Sequence, residues 1–234
     1  IWRVYASLLY CVHMHTQTQP EAGAIRILII GGGFGGIQAA LDLEKMRLPN
    51  THITLISNKH HFEYPPTYYK VAAGIFPTEK CIPLADIFPE GSIEIVVDTI
   101  TGGDTAAKTI TGASGTQYHY DYLVLALGSE VAYFDIPGIK DHSYSLKSVT
   151  DAVNLKAHIH ELFNSHQGKA AQDLMAQFQF IIVGGGPSGV ELAGVLRGYL
   201  RALAEIHHVP MKFITVDILQ AAPRLLPTFP ERVS

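Results

Sequence analysis

Ile27-Leu28-Ile29-Ile30-Gly31-Gly32-Gly33-Phe34-Gly35-Gly36 is the stretch on which the fold turns. Its four aliphatic residues read as a buried parallel strand. Gly31, Gly33 and Gly36 make a G-x-G-x-x-G turn that runs straight into a helical pattern over 37–46. Each glycine has a physical reason: Gly31 for the tight turn, Gly33 for close approach of a pyrophosphate, Gly36 for packing of helix on strand. The free N–H groups of the helix start then face the phosphates, aided by the helix dipole. The pattern recurs as Phe180-Ile181-Ile182-Val183-Gly184-Gly185-Gly186-Pro187-Ser188-Gly189. Two strand–turn–helix copies predict an α/β chain with two Rossmann-like domains, one dinucleotide each.

Composition narrows the field. The 234 residues suffice for one large or two small domains, and 47% apolar content is ordinary for a globular chain. A net charge of −4 gives no electrostatic case for nucleic acid. Two cysteines, Cys11 and Cys81, make no disulfide framework, which points to a reducing compartment. The twelve histidines include the pairs His60-His61 and His207-His208, and none has the spacing of a zinc or iron site, so no metal is expected. No apolar run approaches the roughly 18–20 residues that cross a bilayer.

Along the chain, residues 1–23 read as a leader outside the domains, with Met14 as the expected native start. Strands are predicted at 24–30, 52–56, 93–97, 122–126, 178–183 and 212–219. Helices are predicted at 35–47, 68–73, 148–163 and 188–206, and a hairpin or meander at 99–116. The first helix is expected to bury Ile37, Ala40, Leu41 and Met46. Ser148 with Asp151 gives a helix start of capping-box type. Residues 164–172 are polar and read as a linker. The domains follow as 24–147, a connecting helix and linker at 148–172, and 173–234. The second unit stops soon after its second strand, so a C-terminally truncated chain is expected.

The motifs in order resemble the two-dinucleotide-binding-domain flavoproteins of the pyridine nucleotide-disulfide oxidoreductase superfamily, and within them the type II NADH dehydrogenases (NADH:quinone oxidoreductases). Besides the first glycine motif, they are Tyr120-Asp121-Tyr122-Leu123-Val124-Leu125-Ala126-Leu127-Gly128-Ser129-Glu130, Tyr133-Phe134-Asp135-Ile136-Pro137-Gly138, Leu146-Lys147-Ser148, the stretch 184–194 and Ala222-Pro223-Arg224-Leu225-Leu226-Pro227. The resemblance implies FAD on the first domain and NADH or NADPH on the second. Hydride then passes to the flavin and two electrons pass to a quinone. It also implies a cytoplasmic enzyme, peripheral on the inner face of the membrane through a C-terminal part not in this sequence, and a possible homodimer.

Carried over position by position, the resemblance places Gly31, Gly33, Phe34, Gly35 and Gly36 at the FAD pyrophosphate. Ser57, Asn58 and Lys59 stand where an acidic ribose ligand is usual, about 20 residues on. Pro66 and Thr67 match the segment near the flavin ring, Ile100 a backbone contact to the adenine, and Ala126, Leu127 and Gly128 the strand end that packs on FAD. Gly184, Gly186, Pro187, Ser188 and Gly189 would cradle NAD(P)H. Gln220 replaces the glutamate that binds the adenosine ribose and repels a 2′-phosphate. Glu191, read as lying in the first turn of its helix, matches a glutamate at the junction of flavin, nicotinamide and quinone. Competing readings are a ferredoxin- or rubredoxin-type reductase of the same superfamily and a non-catalytic nucleotide-binding relative. Disulfide and sulfide chemistry is disfavoured because no cysteine pair accompanies the motifs.

Overall fold

The computed structural model describes residues 23–75, 81–88 and 93–233. The leader up to residue 22, the expected start at Met14 and Cys11 lie outside the described residues. In chain order, strand β1 (Ile25–Ile30) leads through the first glycine turn to helix α1 (Phe34–Met46) and strand β2 (Thr51–Ser57). The short strand β3 (His61–Phe62), a 3-10 turn Pro65–Thr67 and helix α2 (Tyr68–Ala72) follow. Next come β4 (Ile82–Pro83), α3 (Leu84–Ile87) and β5 (Glu94–Val97). A meander of β6 (Ile100–Asp104), β7 (Thr109–Gly112) and β8 (Gln117–His119) precedes β9 (Tyr122–Leu125). The remainder is α4 (Val149–Asn164), α5 (Ala171–Gln177), β10 (Gln179–Val183), α6 (Pro187–His207) and β11 (Thr215–Leu219).

The chain divides into two compact units. In the first, a parallel sheet has the order β5-β2-β1-β9. β1 is nearly all aliphatic because both of its faces are covered. Ile27 and Ile29 share a core with Ile37 and Ala40 of α1 and with Leu84, while Leu28 and Ile30 share another with Ile110 and Tyr120 at the meander. Complete burial of Ile29 and Leu55 is worth about 1.5–3 kcal/mol for each side chain. Arg26 pins β1 to the start of β9: its main-chain N–H and its Nε donate to Asp121 Oδ2 at 2.8 and 3.3 Å.

In the second unit β10 and β11 pair in parallel, Gln179 beside Thr215 through Val183 beside Leu219. Leu192, Leu196, Leu200 and Leu203, every third or fourth residue of α6, pack with Ile159 and Phe163 of α4 and with Phe178, Ile182 and Ile214. The described residues of 63–81, and those from 130 on, group with this unit, whereas the stretch drawn from sequence runs unbroken over 24–147. The cause is visible in the packing: Tyr68, Val71 and Ala72 form a core with Ala152 of α4. Glu63 Oε2 accepts from Val149 N–H at 3.0 Å and from Tyr68 Oη at 2.9 Å. Burial, and then the bond to Glu63, push the Tyr68 phenol well above its ordinary value.

Three local expectations are corrected. The polar stretch at 164–172 is not all linker, because α5 starts at Ala171. Met46 is 64% exposed; it stands at the end of α1, where only Gly36, Ile37 and Ala40 are buried. The strand expected from residue 212 begins at Thr215, after a 3-10 turn Met211–Phe213.

Candidate dinucleotide-binding sites

The first and last glycines of the two turns share one backbone geometry. Gly31 and Gly184 have φ +117° and +113°, a region that side chains rarely adopt. Gly31 N–H donates to the Ile56 carbonyl at 2.8 Å, and Gly184 N–H to the Leu219 carbonyl at 2.9 Å. A Cβ on Gly36 would lie 1.8 Å from the Gly31 carbonyl oxygen, and one on Gly189 would lie 1.9 Å from that of Gly184. Both positions are therefore closed to any larger residue by the backbone of their own turn.

Gly33 and Gly186 behave differently. Their φ angles are −92° and −76°, and a Cβ on either would meet nothing within 4 Å. No contact within the described residues demands glycine there. Nor does a side chain cap α1 or α6, and neither has an acid in its first turn. α4 contrasts with both, since Ser148 Oγ accepts from Asp151 N–H at 3.0 Å. Two uncapped helix starts behind open glycines fit the pyrophosphate of a dinucleotide.

The surrounding residues fall into place unevenly. Ala126 is the keystone of the first turn: a Cβ on Gly31 would lie 2.1 Å from its carbonyl oxygen, and its own Cβ lies 3.5 and 3.6 Å from where those of Gly36 and Gly35 would be. Ser57, at 5% exposure, is held beneath Gly32, and its Oγ accepts from Lys59 N–H at 3.2 Å. Its hydroxyl is thus engaged by the chain that leaves β2, while Asn58 is exposed. Phe34 packs edge-on against Phe62, with ring centroids 5.1 Å apart. Leu127 is exposed and Gly128 has φ +75°. Ile100 opens the meander, opposite Gly112.

In the second unit Pro187 opens α6 and supplies no N–H, so Ser188 and Gly189 carry the first donors of that helix. Thr67 Oγ1 donates to the Tyr64 carbonyl at 2.8 Å and so closes the 3-10 turn that contains Pro66. Gln220 Oε1 accepts from Gly185 N–H at 2.7 Å. Glu191 is the fifth residue of α6, not in its first turn, because the helix already starts at Pro187; it is exposed. Sequence reasoning missed Gly32 and Gly185. A Cβ on either would come within 2.6 Å of a neighbouring side chain, Ser57 and Leu225 respectively. Their signal was the triple glycine in both motifs. An apolar recess of about 460 Å³, lined by Ile25, Leu43, Leu48 and Tyr122 among others, lies at the amino end of β1, away from the turn. Open parallel sheets bind ligands at the other end.

Comparison with known proteins adds the following. The family model described as pyridine nucleotide-disulphide oxidoreductase matches residues 25–234. The mitochondrial external alternative NAD(P)H-ubiquinone oxidoreductase B1 of Solanum tuberosum is 28% identical over 234 residues, 93% of this chain and 40% of that protein. The type II NADH:quinone oxidoreductase of Staphylococcus haemolyticus is 29% identical over 211 residues, 89% of this chain and 52% of that protein. Among solved structures, NDH2 from Plasmodium falciparum in complex with NADH superposes with a TM-score of 0.81 at 22% identity, over 90% of this chain and 44% of that one. The chain thus spans about half, or less, of the length of the relatives it matches.

Proposed function

Since this chain belongs to the pyridine nucleotide-disulphide oxidoreductase family, we propose that it holds FAD at its first glycine turn and NADH or NADPH at its second, and serves an NAD(P)H:quinone oxidoreductase. The observation that carries this reading is one phosphate-turn geometry built twice, each time in front of a helix that no side chain caps. When bound, FAD supplies the two-electron chemistry between nicotinamide and quinone. The chain's own residues bind and orient. Gly31 and Gly36 let α1 approach β1, so that the N–H groups after Gly33 face the FAD pyrophosphate. Gly184 and Gly189 do the same for α6 and the second dinucleotide. Gln220, with its oxygen taken by Gly185, has its amide N–H groups left to offer a ribose oxygen.

Glu191, exposed on the second turn of α6, is assigned to moving protons as the quinone is reduced. Glu191→Gln should slow quinone turnover and leave FAD bound; steady-state rates equal to wild type would count against the assignment. The test of the whole reading is anaerobic addition of NADH to the full-length protein. The flavin absorbance should bleach and return when a quinone is added. A protein that carries no flavin, or a flavin that NADH leaves oxidised, would refute the reading. The relatives named above are quinone oxidoreductases. No helix among the described residues is long and apolar enough to cross a membrane.

A further inference from the structure

The second glycine turn is held from outside by the chain that follows β11. Gly185 is buried, and its N–H and its carbonyl are both engaged by that chain. The N–H donates to Gln220 Oε1 at 2.7 Å, and the carbonyl accepts from Leu226 N–H at 2.7 Å. Leu226 makes this bond with φ +48°, a left-handed conformation unusual for a branched apolar residue. Arg224 closes the loop around it: Nη2 donates to the Pro227 carbonyl at 2.8 Å and to the Phe229 carbonyl at 2.9 Å, while Phe229 N–H donates to the Leu226 carbonyl at 2.9 Å. Arg224 Nη1 is buried with no hydrogen-bond partner, which is destabilising. A strained leucine and an orphaned guanidinium nitrogen occur together in one short loop, and that loop grips one glycine peptide.

The grip has a directional consequence. The Gly185 carbonyl and the Gly186 N–H belong to the same planar trans peptide and point in opposite directions. Tying the carbonyl to Leu226 aims the Gly186 N–H away from the loop. A turn without this tie could rotate the peptide and withdraw the donor. We propose that Arg224 and Leu226 are positioning residues for the nicotinamide dinucleotide: they lock the Gly185–Gly186 peptide so that its N–H is presented to the pyrophosphate. This rests on the reading that the second turn binds NAD(P)H. Neither residue touches the dinucleotide in this account; each acts through Gly185.

The test uses the full-length enzyme, with calorimetric titration of ADP-ribose beside steady-state kinetics with NADH. Arg224→Met should weaken ADP-ribose binding about tenfold, the scale of one lost hydrogen bond. It should raise KM for NADH by a similar factor, with kcat within about twofold of wild type, because binding and not chemistry is affected. Arg224→Lys should fall between, since one ammonium cannot reproduce the guanidinium fork. ADP-ribose affinity equal to wild type in both variants overturns the proposal and leaves the function standing. A wild type that binds neither ligand overturns the function, and this proposal with it. If Arg224→Met does not fold, Arg224→Lys decides alone, and unchanged affinity there overturns the proposal.

Discussion

On the proposed reading, Gln220 stands where charge would decide the choice between cofactors. Its oxygen anchors Gly185, and it has no carboxylate to repel a 2′-phosphate. We expect NADPH to be accepted beside NADH. Gln220→Glu keeps an acceptor for Gly185 and adds the missing charge, so it should shift kcat/KM toward NADH by about 10- to 100-fold, the worth of one charge-assisted hydrogen bond. Rejection of NADPH by about a hundredfold in wild type would defeat the argument. A second residue predicts a pH effect. The Ser114 and Tyr118 hydroxyls, at 2.5 and 2.8 Å, hold the Asp98 carboxyl below the usual carboxylate range. A carboxyl lowered on folding stabilises the native state above its unfolded pKa of about 3.9, and that contribution is lost as pH falls through the folded value. Asp98→Asn should therefore melt earlier than wild type near neutral pH, and the gap should close once pH drops below the carboxylate range. Thermal melts across that range check it; a constant gap would contradict it.

At the scale of elements, three helices begin in two ways. α4 starts behind a serine cap, whereas α1 and α6 start behind glycines that donate no side chain. Ser148→Ala should cost about 1 kcal/mol and lower the melting temperature. Gly33→Asp should do the reverse for stability. Its φ of −92° suits any residue, a Cβ there meets nothing, and aspartate at a helix start is better than glycine by a few tenths of a kcal/mol. The same carboxylate would stand where a phosphate is proposed to bind, so flavin content should fall as stability holds. Loss of both together would mean that Gly33 serves the fold and not a ligand.

Over the whole molecule, each unit has its own sheet, its own core and its own glycine turn. On the proposed reading each unit carries one site, and the two should fail separately. Gly33→Asp in the full-length protein should expel flavin and spare ADP-ribose binding. Gly186→Asp should spare the flavin and abolish ADP-ribose binding. Flavin absorbance after denaturation and calorimetry with ADP-ribose read the two sites independently. Parallel loss in either variant would show one shared site in place of two.

The strand–turn–helix units, the roles of Gly31 and Gly36 and the cap at Ser148 were legible in the sequence. Each depends on residues a few positions apart, and periodicity and spacing report such contacts directly. The constraint on Gly36 is local in the strict sense, since it is crowded by the carbonyl of Gly31 in its own turn, whereas Gly31 is closed off by the carbonyl of the distant Ala126. Glu191 stands one residue further into its helix than the sequence spacing indicates, because Pro187 itself starts the helix. What spacing could not convey were contacts between residues far apart in the chain. Gly32 is confined by Ser57 and Gly185 by Leu225 and Gln220. Glu63–Cys81 joins the second unit through Val149, 86 residues after Glu63. A pattern along the chain records which face of an element is apolar. Which distant residue covers that face, or reaches a given carbonyl, depends on the packing of the folded chain.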